Sequence, residues 1–251
     1  MSGHSKWSQI KRQKGANDAR RGALFTKVTR EIMIAARHGG ADPDGNYRLR
    51  LAVDKARRPP INMPADNIKR AIERASGAGG AEQFEEIVYE GYGPGGVAFL
   101  VEAATDNRNR TAADVRSIFT KAGGQLAGSG AVAWQFEPRG LISVTADGRN
   151  PDDVALTAID AGAEDVEESG DRIEVYTTPG ELERIRKSLD AAGVPVESAE
   201  TTMVAKTTVE LDGDRARQNL RLVEALEELD DVQRVSANFD IPEEIFAEVA
   251  G

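Results

Sequence analysis

Residues 140–204 carry the feature that most constrains the fold. Apolar runs and turn formers there alternate in the order β-α-β-β-α-β. A strand is predicted over 141–145 and a helix over 152–161, ended by Gly162. Strands 165–168 and 172–177 form a hairpin over Ser169-Gly170-Asp171, and a helix over 181–191 ends at Gly193 before a strand at 196–204. Completing this order in about 65 residues is the mark of a ferredoxin-like unit.

The segments on either side are incomplete by themselves. Before it, strands are predicted at 86–90, 97–103 and 132–136, with a helix over 112–122 whose Val115, Ile118 and Phe119 point inward. After it come a strand at 207–211, a helix over 214–229 and a strand at 232–240. The economical solution is one discontinuous α+β domain, 83–138 plus 205–240, with the ferredoxin-like domain 139–204 inserted in it. A linker, SGAGGAEQFEE, separates these from a helical N-terminal domain of residues 1–78. The fold class expected is therefore α+β and multidomain.

In the N-terminal part Leu24, Phe25, Val28, Ile32, Ala35 and Ala36 recur at helical spacing. They fill an arc of roughly 120°, while Arg20, Lys27, Arg30 and Arg37 share an arc of roughly 100° opposite. One face is thus core, and the other is a cationic stripe about 25 Å long. Asn109 or Thr111 is the expected cap of the 112–122 helix, with Arg108 and Arg110 beside its electropositive end as candidate phosphate contacts.

Charge is unevenly spread. Residues 1–75 hold 17 Lys and Arg against 7 Asp and Glu, although the whole 251-residue chain carries a formal charge of −10. Polyanion binding depends on a local basic patch, so the acidic total does not exclude nucleic acid. There is no cysteine, which removes disulfides, thiol catalysis and thiolate-bound zinc and fits a reducing cytosol. No apolar run approaches the roughly 20 residues a membrane helix needs, and no apolar core follows the basic N-terminus. A cytoplasmic location is expected.

Several motifs are set aside on spacing. Gly91, Gly93 and Gly96 satisfy G-x-G-x-x-G, but the segment that follows, VAFLV, reads as strand and not as the helix that dinucleotide binding needs. DPDGN has calcium-loop spacing at its start, yet Tyr47 and Val53 stand where glycine and glutamate are required. His4 and His38 are the only histidines and build no catalytic or metal set, and the carboxylates occur in solvated runs. No cofactor, metal, small-molecule substrate or enzymatic activity is expected.

The stretches GHSKWSQIKRQKGANDARRGALFTKVTREI, NMPADNIKRAIERASG, YEGYGPGGVAFLVEAATDNRNRT and GGQLAGSGAVAWQF resemble the YebC/PmpR family, in order and over essentially the whole chain. Ala131 stands where that family often has serine. The resemblance implies a helical N-terminal domain followed by two α+β domains. It also implies a cytoplasmic, non-enzymatic regulator that binds DNA in transcription, or acts in translation at the ribosome as the mitochondrial relatives do on cytochrome c oxidase subunit I. The family's basic motif falls here on Lys6, Trp7, Lys11, Arg12, Lys14, Arg20, Arg21, Lys27 and Arg30.

The expected function is that of a nucleic-acid-binding regulator. Those residues together with Arg37, Lys69, Arg70 and Arg74 would meet phosphate, and Trp7 would either stack on an unpaired base or pack against the first helix. The alternatives are an RNA- or ribosome-bound translation factor, and a protein-interaction module whose basic face docks an acidic protein.

Overall fold

A computed structural model describes residues 18–75, 84–169 and 172–242 together with 244, 245 and 248, the side chains of 18–21 and 169 excepted. The architecture is α+β: among the described residues, seven helices and two four-stranded antiparallel sheets.

Three helices come first: α1 (Asp18–Gly39), α2 (Tyr47–Arg57) and α3 (Ala65–Ala75). Val28, Ile32, Ala35 and Ala36 of α1 are buried against Leu49, Ala52, Val53 and Ala56 of α2 and against Ile68 and Ala71 of α3. One side chain organises the α1–α2 corner. The Asn46 carboxamide oxygen accepts from Leu49 N at 3.1 Å and caps α2, while its Nδ2 donates to Ala35 O and Gly40 O at 2.7 and 2.8 Å, satisfying the end of α1. A Cβ on Gly39 would lie 2.6 Å from that carboxamide, so only glycine lets the two helices meet this closely.

The first sheet has the order β3-β1-β2-β8, from β1 (Glu85–Tyr92), β2 (Ala98–Thr105), β3 (Gln125–Leu126) and β8 (Val232–Ala237). Helices α4 (Arg108–Lys121) and α7 (Gly213–Glu227) cover one face, where Phe99 meets Phe119 edge-to-face at 5.7 Å. The cap of α4 is Asn107, whose side chain accepts from Arg110 N, and not Asn109 or Thr111; the helix begins one turn earlier than its apolar pattern suggests.

The second sheet has the order β5-β6-β4-β7, from β4 (Phe136–Thr145), β5 (Asp165–Ser169), β6 (Arg172–Thr177) and β7 (Val196–Ala205). With α5 (Pro151–Asp160) and α6 (Leu182–Ala191) it is ferredoxin-like. Ile142, Val144, Ile173, Val175, Ile185 and Leu189 form its core.

Two connections differ from the predicted elements. Residues 132–136 are not a strand: a 3-10 turn at Ala133–Gln135 leads into β4 at Phe136. Residues 207–211 make only an isolated parallel bridge, Val209 to Phe239, in place of a full strand. The β4–β7 pair is longer than predicted, and its end, with Phe136, Met203 and Ala205, packs on Ala98 and Leu100 of the first sheet.

The N-terminal helices touch both sheet units. Tyr47 and Leu51 of α2 pack on the ferredoxin-like core, and Arg58 donates to the carbonyls of Val196 and Glu197. Burial and the neighbouring Glu183 carboxylate push the Tyr47 phenol up to about 12. On the other side, Arg48 grips Glu86 with two hydrogen bonds.

Candidate nucleic-acid interface

Lys6, Trp7, Lys11, Arg12 and Lys14 lie outside the described residues, as do the side chains of Arg20 and Arg21. The remaining candidates on the N-terminal helices separate into two groups.

Lys27 and Arg30 form the first group and face inward. The Lys27 ammonium donates to Glu227 O at the end of α7, and the Arg30 guanidinium to Asp230 O just beyond it. Carbonyls at a helix C-terminus lack intrahelical donors and carry its partial negative charge, so cations are favoured there. Arg30 also pairs with the Asp231 carboxylate at 2.8 Å and lies over the Phe84 ring, 5.2 Å from its centroid. The middle of the cationic stripe is therefore a docking surface for the first sheet unit. Lys27 and Arg30, expected as phosphate contacts, are thus engaged within the molecule.

Arg37, Lys69, Arg70 and Arg74 are exposed. Among the described residues Lys69 pairs with Glu73 at 3.8 Å, and Arg70 bonds within its own helix to Asp66 O and Asn67. Arg57, not singled out by the sequence, is exposed at the end of α2. On a helical wheel it looks like any terminal solvated arginine, so periodicity gives no signal for it.

Asp231 is the node on the other side of the contact. Besides Arg30 it accepts from Arg110 at 2.7 Å, Thr111 Oγ1 at 2.6 Å and Thr105 Oγ1 at 3.2 Å. Burial opposes its charge, but the hydrogen bonds from Arg110 and Thr111 and the charges of Arg30 and Arg110 outweigh burial and hold its carboxyl below the ordinary range. Arg110 also pairs with Asp106 at 2.7 Å. A cavity of about 450 Å³ opens here, and Asp106, Asp114, Glu228 and Asp230 line it beside Asp231. Arg30 and Arg110 line it as well, and Arg110, expected as a phosphate contact, is held here between Asp231 and Asp106. Arg108 is exposed and makes no ion pair among the described residues.

Gly91 lies in β1, and Gly93–Val97 is the turn that leads to β2, with 3-10 geometry at Pro94–Gly96. A Cβ on Gly93 would lie 2.3 Å from Asn219 Oδ1 and 2.5 Å from Phe99, so the absent side chain admits α7 and not a dinucleotide. Among the described residues no group of acids and histidines is placed to hold a metal ion, and no helix is long and apolar enough to cross a membrane.

The sequence missed one organised site. The Glu90 carboxylate, 5% exposed, accepts from the amides of Gly130, Val132 and Ala133 at 2.6, 2.7 and 2.8 Å. Burial opposes its charge, but those three donors prevail and its carboxyl lies below the ordinary range. The loop it holds presents Trp134, which is 68% exposed. The available signal was slight: Glu90 is one of three glutamates in β1, and alternation sets it opposite Tyr89, away from the face covered by α4 and α7.

Comparison with known proteins matches residues 5–78 to the TACO1/YebC N-terminal domain and residues 84–239 to the TACO1/YebC second and third domain. A "probable transcriptional regulatory protein" of Rubrobacter xylanophilus is 57% identical over the full length of both chains. One of the same description from Roseiflexus castenholzii is 57% identical over 98% of this chain and 97% of its own. The crystal structure of the conserved hypothetical protein Aq1575 from Aquifex aeolicus superimposes with a TM-score of 0.85 at 49% identity, covering 91% of this chain and 93% of that one. The helical N-terminus, the two antiparallel sheets and these matches together place the chain in the TACO1/YebC family.

Proposed function

We propose that the protein is a nucleic-acid-binding regulator of gene expression, engaging phosphate through its N-terminal helices. The observation that carries this reading is the concentration of cations in residues 1–75 of an acidic chain, together with the exposure of Arg37, Arg57, Lys69, Arg70 and Arg74. Lys6, Lys11, Arg12, Lys14, Arg20 and Arg21 extend that set, and Trp7 sits among them. Such contacts release counterions and fix orientation without reading sequence. The acidic remainder of the chain keeps polyanions on this one side.

The names of the relatives support a DNA target in transcription. A specific observation favours RNA as a second reading. The connections 40–46 and 58–64 between the N-terminal helices are longer than the 3–4-residue turn of a helix-turn-helix. The test is a salt titration of binding to duplex DNA and to structured RNA, paired with crosslinking in cells and sequencing of the attached nucleic acid. Promoter DNA recovered from cells supports transcription, and ribosomal or messenger RNA alone supports the second reading. No binding to either at low salt would sink both.

A further inference from the structure

The Trp134 loop is built as a rigid mount for one aromatic ring. Glu90 fixes its backbone through three amides, and the Tyr92 hydroxyl donates to Ala131 O at 3.1 Å. Val132, fully buried, pins the loop to the first sheet beside Phe136. The indole Nε1 donates to Ala131 O at 3.1 Å, which fixes the ring and satisfies its one donor inside the loop. Trp134 nevertheless stays 68% exposed. Leaving so large an apolar surface in water forgoes the gain of burying it, and the surrounding bonds hold the ring out.

The chemistry around the ring narrows what it meets. Gly128, Ser129 and Gly130 beside it are exposed and carry no apolar bulk. The other exposed large apolar side chains among the described residues, Val88, Leu156 and Ile159, belong to other elements. A lone ring among glycines and serine falls far short of the roughly 800 Å² per partner of a stable protein interface. Lys206 completes the site: its backbone N–H donates to Gln135 O and its ammonium to the Trp134 backbone carbonyl, both at 2.9 Å, which sets a cation at the backbone of the residue that carries the ring. A flat π-face with one adjacent positive charge matches a nucleotide, base on the indole and phosphate at the ammonium. The base must be unpaired to reach the ring. RNA loops and ends present such bases freely, whereas a DNA duplex must first extrude one from its stack.

We infer that Trp134 and Lys206 form a stacking site for an unpaired base of an RNA strand, separate from the basic N-terminal helices. This rests on the nucleic-acid reading above and commits its second contact to RNA. The test uses the full chain labelled with 5-fluorotryptophan, whose two tryptophans give two fluorine resonances. The one missing from Trp134→Phe is that of Trp134. A short unstructured RNA is expected to shift this resonance. A duplex DNA of equal charge is expected to leave it in place, and single-stranded DNA reports how far the 2′-hydroxyls matter. Trp134→Ala, at an exposed position that tolerates truncation, should weaken RNA binding roughly 5- to 100-fold with no change in salt slope. The Lys206 ammonium, exposed where that of Lys27 is half-buried, can exchange its carbonyl for phosphate, so Lys206→Gln should lower that slope by about 0.7. RNA binding that keeps its salt dependence while the Trp134 resonance stays still and Trp134→Ala binds like the parent would overturn the inference and leave the nucleic-acid reading standing. An equal shift with duplex DNA, or a self-association abolished by Trp134→Ala, would overturn it too. Absence of any nucleic-acid binding removes both together.

Discussion

The Arg30 guanidinium in α1 and the Asp231 carboxylate ahead of β8 stand 2.8 Å apart, joining elements 200 residues distant in the chain. Both side chains are largely buried, at 14% and 9% exposure, and Asp231 simultaneously holds Arg110, Thr105 and Thr111. Asp231 thus couples the placement of the N-terminal helices to the start of α4. Replacing it by asparagine takes the carboxylate from Arg30 and leaves Arg110 with Asp106 alone, and should cost on the order of 2 kcal/mol in urea unfolding. Arg30→Ala should cost less, about 1 kcal/mol, because Asp231 keeps its other donors. In a double-mutant cycle the pair should show a coupling of about 1 kcal/mol. Strict additivity would mean that the contact does not hold the two units together.

Acid stability follows from the same residue. The folded state lowers the Asp231 carboxyl, as it does that of Glu90. A carboxyl lowered on folding adds stability that is fully present above its unfolded value and is lost as pH falls through the folded one. Unfolded values are near 4, so stability should hold at neutral pH and decline below about pH 4. Asp231→Asn removes one contributor, and its deficit relative to the parent should shrink as pH drops below 4. A deficit independent of pH, followed by urea unfolding across that range, would contradict this assignment.

Glu90→Gln is nearly isosteric, but it replaces one of two accepting oxygens by an NH₂ group that faces either the amide of Gly130 or those of Val132 and Ala133. The expected cost is about 2 kcal/mol, with the loss concentrated in one loop. Hydrogen exchange at those three amides should accelerate while Phe99 and Val101 in β2 keep their protection. Uniform acceleration would make Glu90 a general core residue and not the anchor of the Trp134 loop.

What the sequence shows of this fold is what local pattern encodes. Val28, Ile32, Ala35 and Ala36 were legible as core because helical periodicity reports burial whichever element covers it. The ferredoxin-like order was legible because its two helices stop at Gly162 and Gly193, both at positive φ. The fate of Lys27 and Arg30 was not. A cationic stripe has the same spacing whether it faces water, phosphate or the end of α7, and its partners Glu227, Asp230 and Asp231 arrive 200 residues later. Trp134 was hidden for a similar reason: its stretch reads as a strand, and the carboxylate that forbids a strand there is Glu90, some 40 residues earlier.

The division of the basic residues predicts different consequences for charges that look alike in sequence. Removing an exposed cation that contacts phosphate lowers the slope of log K against log salt by about 0.7–0.9. Arg70→Gln with Arg74→Gln should therefore flatten the slope by up to roughly twice that, and leave the unfolding midpoint nearly unchanged because both side chains are solvated. Lys27→Gln should do the reverse. Its ammonium is committed to the end of α7, so the salt slope should persist while stability falls by about 1 kcal/mol and the junction of α1 with α7 opens to hydrogen exchange. Parallel salt titrations and urea melts of these variants separate the two classes. If Lys27→Gln flattens the slope as much as one exposed arginine does, α1 must leave its docking site when nucleic acid binds. The Arg30–Asp231 pair would then be the contact broken on binding, and Asp231→Asn should bind more tightly than the parent.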